Sequence, residues 1–168
     1  AVAGHKRAFG ADIVPASYED FDTAELIILV GSNTAWCHPI VFQRIKAIKE
    51  QRPSLKVVVI DPRETATNEI ADLHLPIKAG TDVLLFNALL VDVVTKGLTD
   101  EEFVSKHTKG LAETLKSAQQ DVGDGSTVAE RLGVDAAVLE TLKTWFANTP
   151  KTMTLFSRAL ISPAQVQT

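Results

Sequence analysis

Residues 26–50 read LIILVGSNTAWCHPIVFQRIKAIKE. Leu26–Val30 contains no polar residue, which predicts a strand buried on both faces, as in a parallel sheet. Gly31 has no Cβ and permits a sharp exit from that strand. Pro39 suits the first turn of a following helix, where its missing N–H costs nothing. Gly31–His38 therefore reads as a loop at the carboxyl edge of a sheet, beside a helix N-terminus. Open α/β sheets bind nucleotides and their phosphates at that place. The spacing is not GxGxxG, so the loop alone names no ligand.

The pattern continues outward from this unit. Ile40–Gln51 is helical, with Ile40, Val41, Phe42, Ile45 and Ile48 predicted to cover the sheet and Arg44, Lys46, Lys49 and Glu50 to face water. Leu55–Ile60, LKVVVI, is a second strand, parallel to the first through a right-handed crossover. Asp61 stands at its end and Pro62 stops it. Glu64–Ala71 reads as a short helix. Leu73, Leu75 and Ile77 alternate with His74 and Pro76, a third strand that Pro76 holds to an edge or a strand end. Ala79–Asp82 opens a helix over Val83–Lys96, capped by Thr81 or Asp82 and stopped by Gly97. Thr99 with Glu102, and Thr127 with Glu130, read as capping boxes of two further helices. Gly133 ends the second of these, Asp135 starts a helix over Ala136–Asn148, and Met153–Phe156 is a final strand. Residues 121–127, DVGDGST, form the most flexible-looking segment. Upstream, AVAGHKRAFG reads as part of a helix stopped by Gly10, with a helical turn in Tyr18–Ala24. The prediction is one α/β domain over residues 1–168, a Rossmann-like, doubly wound, mostly parallel sheet flanked by helices, with a helical region over 97–150.

Composition bounds the function. The chain has 168 residues, enough for one domain, with an ordinary 45% apolar and 23% charged content. A net charge of −4 gives no support for a nucleic acid or anionic membrane partner. No apolar run approaches the roughly 20 residues that span a bilayer. The single cysteine, Cys37, excludes an internal disulfide and suits a reducing compartment, hence a cytoplasmic location. Without an initiator Met or a signal pattern, the chain reads as a piece from the middle of a longer protein, whose remaining domains are its expected partners.

Three loops offer chemistry: Gly31–His38, Asp61–Thr65 and Gly80–Asp82. The first supplies backbone N–H groups and Asn33. The second supplies a carboxylate about one βαβ unit after the first strand, where dinucleotide folds bind a ribose. A carboxylate also matches the paired N1–H and N2 donors of guanine, and Asp82 has the same acceptor chemistry. Arg63 and Lys78 could neutralise phosphate. Plainer roles stand beside these: Asp61 as a turn acid, Asp82 as an N-cap, Arg63 as a solvated charge, Cys37 and Trp36 as packing. The histidines His5, His38, His74 and His107 lack metal-ligand spacing, and GxSxG, GxxxxGK[ST] and cysteine clusters are absent.

GSNTAWCHPIVFQRI, IDPRETATNEIADLHLPIKAGTD and LLFNALL occur in order, followed by EEFVSKHTKGL. Together they resemble the molybdopterin-guanine-dinucleotide oxidoreductases of the dimethyl sulfoxide reductase family. AVAGHKRAFGA, the AWCHP form and the KHT-x-G stretch are most similar to catalytic subunits of bacterial assimilatory nitrate reductases. The resemblance implies molybdenum on two pterin dithiolenes, each extended by a guanine nucleotide (Mo-bis-MGD). It places Gly31, Ser32 and Asn33 along one dinucleotide, Asp61, Pro62, Arg63 and Thr65 at its guanosine end, and Gly80, Thr81 and Asp82 at a third contact. The family's 4Fe-4S cluster and molybdenum-bound cysteine belong upstream, so this stretch binds neither and is expected to be inactive alone. Arg158 to Ser162 depart from the family's usual stretch and are not cofactor candidates. A formate dehydrogenase or other molybdopterin oxidoreductase, a non-enzymatic nucleotide-binding module and an NAD-binding domain are the alternatives. The substrate and the electron donor protein are not legible.

Overall fold

Strand β1 (Leu26–Val30) lies inside a four-stranded sheet in the computed structural model, which describes residues 2–156. All five of its residues are buried, as a run without polar residues requires. Strands β2 (Lys56–Ile60), β3 (Leu73–Leu75) and β4 (Thr152–Phe156) complete the sheet in the order β3-β2-β1-β4. Every pair is parallel: Leu26 faces Lys56 on one side and Thr152 on the other, and Val58 faces Leu73. The strand order reverses between β1 and β4. That is the switch point of a doubly wound sheet, where ligands bind at the carboxyl ends of the strands.

Alternate residues of β1 and β2 feed two cores. Ile27, Leu29, Val57 and Val59 pack against Phe21 of α2 (Asp20–Thr23) and against Phe42 and Ile45 of α4 (Pro39–Gln51). Ile28, Val30, Val58 and Ile60 pack on the other face. There they meet Leu84, Leu85, Ala88 and Leu89 of α5 (Asp82–Thr95), Val122 of α7 (Leu111–Val122), Val128 and Leu132 of α8 (Val128–Leu132), and Leu139 and Leu142 of α9 (Ala136–Asn148). The remaining helices are α1 (Val2–Phe9), α3 (Thr34–Cys37) and α6 (Glu101–His107). No described helix is long and apolar enough to cross a membrane.

Several local expectations are corrected. Ile40 is 81% exposed and does not cover the sheet. Phe42 and Ile45 define the buried stripe of α4, and Ile40, two residues before Phe42, falls on the opposite side. The cap of α6 is Asp100, which accepts from the Phe103 N–H at 2.9 Å, not Thr99. Thr127 precedes α8 without a side-chain capping bond, and neither Thr81 nor Asp82 completes one at α5. Thr81 instead donates its hydroxyl to the Lys78 carbonyl at 2.7 Å. Helix α7 was not foreseen as a separate element, although Leu111, Leu115, Ala118 and Val122 follow its period. In the 121–127 segment, the Asp124 carboxylate accepts from the Ser126 N–H and hydroxyl, which holds its pKa below the usual carboxylate value. Residues 157–168, with Arg158 to Ser162, lie outside the described residues.

Gly133 ends α8 with φ +77°, and a Cβ there would approach Lys78 Cε to 2.8 Å. Both the left-handed backbone and the contact oppose a side chain. Gly133→Ala is expected to cost about 1–3 kcal/mol of unfolding free energy. Urea unfolding checks this, and an unchanged midpoint would refute it.

Candidate functional site

The three predicted loops all follow carboxyl ends of strands. Gly31 leaves β1 with φ +54°, and its N–H donates to the Ile60 carbonyl at 2.8 Å. The first loop is not irregular throughout: helix α3 lies inside it. The Asn33 carbonyl accepts from the N–H groups of Trp36 and Cys37, and His38 separates α3 from α4, which Pro39 opens. Ser32 and Thr34 are buried, with their hydroxyl oxygens 2.8 Å apart.

Asp61, only 3% exposed, ends β2. Its Oδ1 accepts from the Arg63 N–H at 2.9 Å, so it does make the turn that Asx residues favour. Its own N–H donates to Leu75, and its carbonyl lies 2.9 Å from His74 Nε2. The second loop is thereby fixed to β3. The Arg63 side chain is 72% exposed, with Nε 3.8 Å from Asp61 Oδ1, so a long ion pair to Asp61 leaves most of the guanidinium facing solvent. Thr65 caps the following 3-10 turn, Ala66–Ile70.

Thr67 joins the first two loops, a residue that the sequence reading passed over. It is fully buried. Its hydroxyl donates to Asn33 Oδ1 at 3.3 Å and accepts from the Ala35 N–H at 3.1 Å. Thr67→Val keeps the shape but leaves both partners unpaired. It is expected to lower stability by about 1–3 kcal/mol, and calorimetric melting that shows no loss would refute the bridge.

The third loop is anchored separately. The Lys78 N–H donates to Leu132 at 2.7 Å and its Nζ donates to the Glu130 carbonyl at 3.1 Å. Lys78 thus tethers the end of α8 through one of its ammonium donors, while its side chain stays exposed. Gly80, with φ +83°, has open space where a Cβ would stand. Asp82 opens α5, is 8% exposed, and its Oδ1 is buried without a hydrogen-bond donor among the described residues. Burial raises its pKa above 3.8, opposed by the N–H groups of Asp82 and Val83. A carboxyl whose folded pKa is raised stabilises the fold most below its unfolded value, and loses that contribution as pH rises through the folded value. Asp82→Asn should therefore gain stability relative to the native chain between pH 4 and pH 7. Paired urea titrations at the two pH values test this, and a relative loss would refute it.

Trp36 is 77% exposed and Cys37 is exposed, so neither is the packed residue its type suggests. Trp145 carries the Lys56 ammonium 4.2 Å from its ring centroid, at the other end of the sheet. Two concavities of about 250 and 380 Å³ lie at the amino ends of β1, β2 and β4, away from the three loops. Among the described residues, no group of three His, Cys, Asp or Glu could hold a metal.

The family model for molybdopterin oxidoreductases matches residues 3–166. The chain belongs to the molybdopterin oxidoreductase family. It is 43% identical to a nitrate reductase of Shewanella frigidimarina over 92% of this chain and 16% of that protein. It is 38% identical to the alpha subunit of an F420-dependent formate dehydrogenase of Methanococcus maripaludis over 81% of this chain and 20% of that protein. The structure of acetylene hydratase from Pelobacter acetylenicus superposes with a TM-score of 0.71 at 28% identity, over 84% of this chain and 19% of the other. The chain thus spans a fifth or less of the length of these relatives.

Proposed function

We propose that this member of the molybdopterin oxidoreductase family holds the guanine nucleotide end of a molybdopterin guanine dinucleotide within a larger nitrate reductase. The lone acceptor Asp82 Oδ1 carries this reading. A buried carboxylate oxygen without a donor is costly, and the guanine N1–H and N2 amino groups form a planar pair of donors that a carboxylate matches. Asp61 follows β2, the strand next to β1 at the switch point, and is suited to a ribose or base donor. Gly80 has open space on its Cα, which permits close approach of a ligand, Gly31–Asn33 lie at the carboxyl end of β1 among the loops of the same sheet edge, and Arg63 supplies positive charge to phosphate. Pro62 fixes the turn between Asp61 and Arg63, and Thr65 holds the far end of that loop in place.

The bound cofactor supplies molybdenum, at which nitrate is reduced by two electrons to nitrite. The residues described here bind and orient its nucleotide tail and take no part in oxygen-atom transfer. Cysteine ligands for molybdenum and for a 4Fe-4S cluster belong to the rest of the polypeptide, as does contact with an electron donor. Cys37, the single thiol, suits a cytoplasmic setting. The similarity to a formate dehydrogenase favours formate oxidation as the second reading of the whole enzyme, with the same tail site.

Two measurements test the proposal. GDP is expected to bind the chain at about millimolar affinity and more tightly than ADP by calorimetry, since only part of the cofactor's contacts is present. Equal affinity for the two would refute guanine recognition. The chain alone is expected to reduce no nitrate with reduced viologen as donor, and turnover would refute its role as a tail-holding piece.

A further inference from the structure

Asn33 occupies the N-cap of α3, where an asparagine ordinarily turns its side-chain oxygen onto a free N–H of the first turn. It makes no such bond here. The Ala35 N–H of that turn donates instead to the Thr67 hydroxyl at 3.1 Å, from 32 residues away in the chain. Thr67 is fully buried, so its one hydroxyl proton also needs an acceptor. The side-chain oxygen of Asn33 lies 3.3 Å away, and no other described residue accepts from that hydroxyl. With the amide turned the other way, its NH2 group would meet the hydroxyl and the buried proton would have no partner. Donor and acceptor counting therefore fixes Asn33: its oxygen faces Thr67 and its NH2 group faces away. No described residue accepts from Asn33 Nδ2, and that atom is open to solvent. Thr67 has taken over the cap of α3 and left both amide donors unused, just past the carboxyl end of β1.

We infer that Thr67 is a positioning residue of the nucleotide site, which holds the Asn33 amide so that its NH2 group, and not its oxygen, meets the ligand. This role rests on the proposed nucleotide site, whereas the orientation of the amide does not. Held in this way, Asn33 can only donate. Its match is an acceptor oxygen, and beside the switch point the nucleotide offers those of its phosphates. A charged acceptor strengthens such a bond. An amide free to turn would also present its oxygen, which an anion repels. Thr67 itself touches no ligand in this arrangement; it acts through Asn33.

NMR relaxation of the Asn33 side-chain NH2 group tests the orientation without any nucleotide. The group is expected to be ordered in the native chain and in Thr67→Ser, which keeps the hydroxyl, and mobile in Thr67→Val. A native NH2 group as mobile as that of Thr67→Val would overturn the inference. Chemical-shift titration with GDP reads the use of that order. Thr67→Val is expected to lose about 3- to 10-fold in affinity, and Thr67→Ser to retain it. In an Asn33→Ala background Thr67→Val is expected to cost nothing further. An equal loss in both backgrounds would mean that Thr67 acts through the fold, and would overturn its role. In the native chain the Asn33 NH2 signals are expected to shift with GDP and not with guanosine, which has no phosphate. Equal shifts would overturn phosphate as the partner. Absence of GDP binding by the native chain would refute the nucleotide site and with it the role of Thr67, while the relaxation result would still decide the orientation.

Discussion

Asp82→Ala is expected to remove guanine selectivity. It deletes the one buried side-chain acceptor without a donor among the described residues and leaves the space beside Gly80 Cα in place. A site built to hydrogen-bond a donor pair loses about 1–3 kcal/mol when the acceptor goes, or roughly 5- to 150-fold in affinity for GDP. ADP, which lacks that donor pair, should lose little. Calorimetric titration of both nucleotides into both proteins reads the difference. Equal losses for GDP and ADP would mean that Asp82 acts through the fold and not through the base. The substitution also removes a buried charge, so the unliganded variant should be no less stable than the native chain at pH 7. Lost affinity then cannot be put down to unfolding.

Ile28→Ala is the second large effect, on stability. Ile28 is fully buried on the middle residue of β1, between Val58 of β2 and Thr154 of β4. It belongs to the core that α5, α7, α8 and α9 cover. Truncation there leaves a cavity that a strand held on both sides cannot close. The expected loss is about 2–5 kcal/mol, against about 5–15 kcal/mol for a whole domain. Trp36→Ala, at a residue 77% exposed, is expected to change stability by only about 0.5 kcal/mol or less. Denaturant melts that rank the two the other way would contradict the assignment of the core.

The strands were legible because burial on both faces leaves a plain mark, the unbroken apolar runs Leu26–Val30 and Val57–Ile60. Their parallel pairing followed from the helix between them, and the position of β3 at an edge from Pro76. The three loops were legible for the same reason, since each lies just beyond a strand. Other features depended on contacts that no local pattern records. Thr67 acquires its role from Asn33, 34 residues away in the chain. Lys78 meets the Glu130 carbonyl across 52 residues, a contact that its charge alone does not announce. Ile40 has the right residue type for the core but stands on the wrong side of α4. At α6 two adjacent residues, Thr99 and Asp100, both suited a cap, and the backbone placed Asp100 at the turn. The buried solitude of Asp82 Oδ1 was not readable at all, because it arises from how α5 packs against the sheet.

The most direct test of the central claim is an amide chemical-shift titration of the chain with GDP, and with ADP as control. Guanine-selective shifts are expected at Gly31–Asn33, Asp61–Thr65 and Gly80–Asp82 together, with the amino ends of the strands unmoved. Shifts confined to the concavities around Lys151 or Arg52, or shifts of equal size for the two nucleotides, would contradict it.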